Sequence, residues 1–548
     1  MNEIELKLKT AIQEAVKQCF GIELTLDEIV IEIPKDKSHG DYACSVAMRL
    51  SKKVGKNPRL IAEELIASLD KGSGSIQEAS IAGPGFINFI MDSHSLTNVI
   101  LNIIEQGDHY GENQIGQNEK IMVEYVSANP TGDLHLGHAR GAAWGDSLTR
   151  CMKVSGYDVC REYYVNDAGN QINNLAYSLI ARYKQNFNIE ADLPEDGYHG
   201  KDVAMIGEAL AKREGDKWLK ADEEEVFQFF RKEGIAFELE KLQKDLDYFR
   251  VHFDVWSSEQ ELYDTHLVDA ALTKLIELGL TYEKDEAIWF KSSEYGDDKD
   301  RVLRKSDGSN TYLLPDIAYH IGKYERGYTK LINLWGADHH GYIPRMKAAM
   351  QALGHNAEAL QVDIIQMVRL VEDGNEVKMS KRTGNAITIR ELCDEVGVDA
   401  VRYNFVQRAL DTHLDFDIGL ARKQSNENPV YYAQYAHARI CSILRQAPHV
   451  ETPSEFTLLT HEKEIHLLKY LNEFPGVVSD VAKGRTPHKL CNYIQKCAQN
   501  FHSFYGSCKV IDTDNMELTA QRVALLQATK ITLKNALYLI GVEAIEKM

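Results

Sequence analysis

The sequence predicts an α/β protein in which a doubly wound parallel sheet carries a helical insertion, preceded by a small α/β unit and followed by an all-helical one. Three observations predict this. An apolar strand, a Pro/Gly turn, a helix, a Gly-containing stop and a second strand follow one another across IMVEYVSANPTGDLHLGHARGAAWGDSLTRCMKVSGYDVCREYYV, which is a βαβ start. Strand-like runs return at LINLWGAD and VDIIQMVRL, beyond a charge-rich stretch of helical period. From about residue 424, after GLARKQSNENP, the pattern is helical to the end.

In chain order, MNEIELKLKTAIQEAVKQCFGIEL repeats apolar residues at helical spacing, and the first segment closes on the alternating, strand-like IAGPGFINFIMD. Residues 1–112 therefore read as a small α/β domain, with the polar, turn-rich YGENQIGQNEK (110–120) as a linker. The sheet domain is placed at 118–424. Its insertion spans about 185–260 and ends in the aromatic cluster YFRVHFDVW. The helical domain is placed at 425–548, on the runs YYAQYAHARICSIL, EIHLLKYLNEF, LCNYIQKCAQNFHSFY and ALLQATKITLKNALYLIGV.

A chain of 548 residues suggests three or four domains at roughly 150 residues each. Lys plus Arg number 62 against 82 Asp plus Glu, and a net charge of −20 excludes a generally basic nucleic-acid coat while leaving room for a local basic surface. Hydrophobic residues at 44% and charged residues at 26% exclude a disordered or collagen-like chain. The nine cysteines are scattered without a C-x-x-C pair, so reduced thiols and no zinc ribbon are expected. The opening helix lacks the apolar core and cleavage site of a signal peptide, and no run of 18 apolar residues occurs, so a cytoplasmic protein with no membrane span is expected.

Chemistry concentrates in two places. After the strand IMVEY, the turn SANPTGD leads into His135-Leu136-Gly137-His138 at a helix start, where unpartnered N–H groups and the helix dipole favour phosphate. Gly137 removes a side chain where a flat base could approach the backbone. Taken alone, the histidines read equally as a zinc pair or as two surface residues. The second place is Lys378-Met379-Ser380-Lys381-Arg382-Thr383-Gly384-Asn385, a Gly-containing loop whose lysines suit the growing charge of a departing pyrophosphate. A single K-x-S-K loop is otherwise a solvated turn.

HLGH followed by KMSK in this order resembles the class I aminoacyl-tRNA synthetases. The runs SANPTGDLHLGHARGA, GYDVCREYYVNDAGNQ, LPEDGYHG, WGADHHGYIPR and NPVYYAQYAHARI are similar to the arginyl-tRNA synthetases of the bacterial type, over essentially the whole chain. That resemblance implies a Rossmann-type catalytic domain, an additional N-terminal tRNA-binding domain and a helical anticodon-binding domain. It implies that L-arginine is activated with ATP to arginyl-adenylate and transferred to the terminal ribose of tRNA(Arg). The competing readings are a shorter adenylate-forming nucleotidyltransferase of the same superfamily, a cysteinyl enzyme, and a catalytically dead RNA-binding paralogue.

By the same resemblance, His135, His138, Lys378 and Lys381 carry the catalysis. Gly137, Gly336, Asp338 and Ser380 bind ATP, with Gly384 shaping the loop. Glu124, Asn129, Tyr312 and Asp316 bind arginine, in keeping with the fixed planar acceptors that a guanidinium demands. For Asp316 the alternative is a helix cap just after Pro315. Tyr431, Gln434, Tyr435 and Arg439, among the aromatic and polar residues of the last domain that also include Tyr432 and His437, suit stacking on unpaired bases, although Tyr431 and Tyr435 serve equally as core. His339-His340 suggest a metal, but no acid stands at ligand spacing and none is expected. Mg2+ is expected with ATP rather than in a protein cage, with no tightly bound cofactor. The family implies a monomer and activation that requires bound tRNA, against the alternative of a preformed site.

Overall fold

The computed structural model describes residues 3–32, 34, 39–91, 93–372, 374–377 and 387–548. Helix α1 (Glu3–Phe20) buries Ile4, Leu8, Ala11, Ile12, Ala15 and Val16, the apolar stripe that its period predicts. Strands β1 (Ile31–Glu32), β2 (Tyr42–Cys44), β3 (Ile76–Ala82) and β4 (Phe86–Met91) form an antiparallel sheet in the order β1-β2-β4-β3. Helices α2 (Val46–Val54) and α3 (Pro58–Ser68) lie between β2 and β3, and α4 (Ser93–Gln106) follows the sheet. Asn57 caps α3 by accepting from the Arg59 N–H, with Pro58 in the first turn.

The middle of the chain opens with β5 (Lys120–Glu124), α5 (Leu136–Val154) and β6 (Asp158–Val165). Helices α6 (Asn170–Gln185), α7 (Lys201–Glu214) and α8 (Glu223–Tyr248) then build the insertion around their own core, with Leu179, Tyr183, Leu210 and Phe230 buried in it. Then come β7 (Val255–Ser258), α9 (Glu259–Asp264) and α10 (Leu267–Glu277), an antiparallel sheet of β8 (Thr281–Lys284), β9 (Ala287–Phe290) and β10 (Arg301–Arg304), and α11 (Leu313–Glu325). The chain continues through β11 (Lys330–Gly336), α12 (Ile343–Ala352), β12 (Leu360–Ile365), β13 (Val368–Glu372), β14 (Asn375–Glu376), α13 (Ile389–Val396), α14 (Val398–Val406), β15 (Leu414–Asp417) and α15 (Ile418–Arg422).

The central sheet is parallel throughout and runs β12-β11-β5-β6-β7. Strand order reverses between β5 and β11, and in such a sheet ligands bind beyond the carboxyl ends of the strands at that point. Strand β7 falls within the stretch read from sequence as insertion, because a four-residue strand is too short to show a period of two.

Helices α16 (Pro429–Gln446), α17 (Glu462–Asn472), α18 (Phe474–Gly484), α19 (His488–Ser507) and α20 (Met516–Leu539) complete the chain. Residues up to Asn113 form one compact unit with Tyr431–Leu539 and Glu543–Met548, while Gln114–Val430 and Ile540–Val542 form the other. Within the first unit the Tyr110 hydroxyl donates to the Leu471 carbonyl at 2.8 Å, and the Asn535 amide donates to the carbonyls of Gly107 and Tyr110. Asp41 pairs with Lys469. Gly111 has φ +109, and a Cβ there would stand 2.5 Å from the Phe474 ring. Among the described residues no helix is long and apolar enough to cross a membrane.

Candidate active site

The turn after β5 is wound tightly. Val126 and Ser127 both take positive φ, 71° and 44°, which for a β-branched residue costs on the order of 1–3 kcal/mol and has to be imposed by the surroundings. What imposes it is visible: Ser127 Oγ donates to Glu124 Oε1 at 3.0 Å and accepts from the Tyr164 N–H at 3.1 Å, while the Tyr163 hydroxyl bonds both the N–H and the carbonyl of Ala128. The turn and the start of α5 border an open cleft of about 360 Å³ lined by residues 127–129, 131–133, His135 and His138. Helix α5 lies close against the strand end because Gly145 has no side chain; a Cβ there would stand 2.4 Å from the Tyr125 ring.

His135 is the N-cap of α5. Its Nδ1 accepts from the Gly137 N–H at 3.1 Å, and its own N–H donates to His138 Nδ1 at 3.2 Å, with the two rings stacked 3.7 Å apart. Burial pushes His138 down to about 3, His135 adding repulsion, and desolvation lowers His135 as well. Both imidazoles are therefore neutral near pH 7. With each Nδ1 accepting, each ring carries its proton on Nε2, so this helix terminus presents two neutral N–H donors.

The KMSK loop lies outside the described residues, and with it Lys378, Ser380, Lys381 and Gly384. The chain just beyond it is described. Thr388 forms an antiparallel bridge with His135, and the Ile389 N–H donates to the Leu134 carbonyl at 2.8 Å, so the segment leaving that loop is bonded to the start of α5. At the end of the neighbouring strand β11, Gly336 precedes a short 3-10 helix, and a Cβ there would meet Asp338 Oδ1 at 2.6 Å. Asp338 is exposed and lies 3.2 Å from His339 Nδ1. Among the described residues no group of three His, Cys, Asp or Glu side chains could hold a metal ion.

Glu124, at the end of β5, is buried. Its register partner on β11 is Asn333, and Lys323 donates to its Oε2 at 2.5 Å. Asn129 is exposed, its amide donating to Gln171 Oε1 at 2.8 Å. Tyr312 is 79% exposed and occupies the N-cap position of α11 without a side-chain cap bond. Asp316 lies one turn on and accepts from the Tyr342 hydroxyl at 2.7 Å; that partner, rather than a helix N–H, takes its carboxylate, which removes the cap alternative.

Sequence reading missed Glu259. It opens α9 behind the cap residue Ser258 and is buried, interacting with Tyr164. An acid in a capped first turn is ordinary, so nothing in its spacing singles it out. Burial pushes Asp316 up to about 7, Glu259 and Glu124 adding repulsion, and burial likewise pushes Glu259 up to about 7. Among the described residues neither Asp316 nor Glu259 forms an ion pair, and Lys323 acts on Asp316 only as a weaker, more distant charge. A guanidinium is the group that would relieve them, since it supplies charge and paired donors at once.

Three family models match this chain in succession: the arginyl-tRNA synthetase N-terminal domain over residues 6–91, the catalytic domain of class I (R) tRNA synthetases over 99–408, and the DALR anticodon-binding domain over 433–548. The chain belongs to the arginyl-tRNA synthetase family. It is 56% identical over 553 residues to arginine–tRNA ligase 2 of Bacillus thuringiensis, covering 100% of both chains, and 56% identical over 546 residues to arginine–tRNA ligase of Bacillus subtilis, covering 99% and 98%. The solved arginyl-tRNA synthetase of Thermus thermophilus shares the fold with a TM-score of 0.77 at 22% identity, over 99% of this chain and 100% of that one.

In the segment that matches the anticodon-binding model, Tyr435 is exposed and its ring stacks on Tyr431 at 6.2 Å and on His502 at 5.9 Å. Arg439 donates to the Tyr505 hydroxyl at 3.0 Å, its guanidinium 5.2 Å from that ring. Gln434 is buried instead, its amide donating to the Glu543 carbonyl at 2.9 Å, so of the four expected RNA contacts it is the one turned inward.

Proposed function

We infer that the chain is an arginine–tRNA ligase: it joins L-arginine and ATP as arginyl-adenylate with release of pyrophosphate, then transfers the arginyl group to the 3′-terminal adenosine of tRNA(Arg). The observation that carries this is the half-buried Asp316 and the buried Glu259, two carboxyls that form no ion pair among the described residues, beside the strand end from which the HLGH helix starts. In this reading Asp316, oriented by Tyr342, and Glu259 take the guanidinium, with Tyr312 at the mouth and Glu124 and Asn129 holding the rest of the amino acid. The arginine carboxylate attacks the α-phosphorus and the bond to pyrophosphate breaks. His135 and His138 donate from Nε2 to the phosphate oxygens as charge moves onto them, and Lys378 and Lys381 meet the departing pyrophosphate. Gly137 lies under the adenine, Gly336 and Asp338 hold the ribose, and Ser380 shapes the lysine loop. Mg2+ arrives with ATP.

Residues 1–112 serve as an additional tRNA-binding domain, 118–424 as the catalytic domain and 425–548 as the anticodon-binding domain. There the stacked Tyr431 and Tyr435, with Arg439, offer a platform for unpaired bases. The protein acts as a cytoplasmic monomer. Pyrophosphate exchange with ATP, tRNA and each amino acid in turn tests the reading: exchange with arginine supports it, and exchange with another amino acid in place of arginine overturns it.

A further inference from the structure

Lys323 stands on α11 with its side chain 0% exposed. Its ammonium donates to Glu124 Oε2 at 2.5 Å and to Asn333 Oδ1 at 3.2 Å, and lies 4.3 Å from the centroid of the Tyr319 ring. The Tyr319 hydroxyl donates to the same Glu124 oxygen at 3.3 Å. From Asn333 the hydrogen bonds continue: its amide donates to His320 Nε2 at 3.0 Å, and His320 Nδ1–H donates to the Asp316 carbonyl at 2.8 Å. Burial holds His320 down at about 3, so the ring is neutral and its partners dictate this tautomer. Asp316, Tyr319, His320 and Lys323 recur at helical spacing, which puts them on one face of α11. That face links the peptide of one carboxylate, Asp316, to the side chain of another, Glu124.

A fully buried ammonium is tolerated only where it is paired and hydrogen-bonded. Here the pairing also sorts the acids of the site. Glu124 is taken by Lys323 and the neighbouring Glu162 by Arg326 at 3.0 Å, while Asp316 and Glu259 form no ion pair among the described residues. We propose that Lys323 is a positioning and specificity-determining residue: by compensating Glu124 it leaves Asp316 and Glu259 as the pair that receives the substrate cation. This rests on the arginine reading of the site and adds the group that determines which carboxylates face the guanidinium.

The charges around Asp316 make the idea measurable. Tyr342, with Arg345 against its ring, approaches from beyond β11, Glu259 from α9, Glu124 from β5 and Tyr164 from β6. Lys323, on the same helix, favours the Asp316 carboxylate, and Glu124 disfavours it. The acid limb of kcat/KM for arginine, followed from about pH 5.5 to 9, reads the balance. Lys323→Met is expected to move that limb up by about one pH unit, and Glu124→Gln to move it down by a similar amount. The double variant returns it close to wild type because opposite influences leave together. The KM for ATP stays within about threefold throughout.

A limb unmoved in the single variants, or displaced in the same direction in both singles and the double, overturns the proposal. Should Lys323→Met fail to fold, Glu124→Gln and the neutral double variant still decide. The arginine reading is checked separately. Absence of arginine-dependent exchange in the wild type ends it before any variant is made, and a wild-type arginine KM in the double variant removes Glu124 from the substrate contacts while leaving the role of Lys323 in place.

Discussion

The N–H of His135 donates to Nδ1 of His138 at 3.2 Å, and the two rings stack 3.7 Å apart, so the residues that start α5 also hold each other. Each imidazole spends Nδ1 on the backbone and presents Nε2–H at the helix start.

His138→Ala is therefore expected to cost in two ways. Adenylate formation falls by about 100- to 1,000-fold, the scale of losing one positioned donor, while the KM for arginine changes little. The bond from the His135 N–H to His138 Nδ1, one half of the capping box, is lost as well, lowering stability by about 1 kcal/mol. Pyrophosphate exchange and a denaturant titration check the two effects separately; near wild-type exchange at saturating ATP would sink the assigned role. Because burial holds His138 at about 3, it should contribute no inflection to the rate between about pH 6 and 9.

The carboxyls of Asp316 and Glu259 predict how arginine binding follows pH. Both are pushed up to about 7, against about 4 in an unfolded chain. The folded protein without arginine then holds more protons than the unfolded chain between these values, so these groups reduce stability progressively as pH rises from about 4 through 7. Arginine, which favours the ionised acids, should raise the melting temperature more at pH 8 than at pH 6. An equal thermal shift at both would show that neither acid meets the substrate cation.

Asp316→Asn should lower kcat/KM for arginine by about 100-fold or more, chiefly through KM, as expected when a buried charged contact of 2–5 kcal/mol is broken. Glu259→Gln should act in the same direction. Steady-state exchange at varied arginine measures both, and an unchanged KM in either variant removes that residue from the pocket.

Arg402 gives α14 a hold on α5. Its guanidinium is buried, pairs with Asp146 of α5 at 2.5 Å, and donates to the carbonyls of Phe249 and Ile540 at 2.9 and 3.0 Å. Arg402→Met leaves the Asp146 carboxylate buried beside Arg150 alone, and a loss of about 3–5 kcal/mol is expected in equilibrium unfolding. A loss below about 1 kcal/mol would mean that water reaches the site and the pair adds little.

The connector from Thr388 through α14 suggests a route by which RNA could govern activation. It is bonded to the start of α5 through the Thr388–His135 bridge and to its middle through Arg402 and Asp146. If bound tRNA favours one arrangement of this connector, exchange should appear only with tRNA present, including tRNA whose terminal ribose cannot accept arginine. Robust exchange with ATP and arginine alone would establish a preformed site.

The strand, turn and helix from Lys120 to Val154 were legible because an apolar run, a Pro/Gly turn and a helical period are local properties, and the HLGH site is contiguous with them. The β8–β10 sheet was not foreseen, since its four-residue strands show no clear alternation. Nor was the packing of the first 113 residues with the C-terminal helices as one unit, which depends on bonds such as Tyr110 to Leu471 across most of the chain.

The order of domains and the family were legible in the sequence, because both rest on local patterns and short contiguous motifs. The tertiary structure alone decided which charges meet. Desolvation raises both Glu259 and Asp316, and Lys323 acquires its partner from the pairing of β5 with β11 and the packing of α11, none of which leaves a spacing that sequence can show. Electrostatic energy depends on distance in space and on the water excluded from between the groups, and the folded chain sets both.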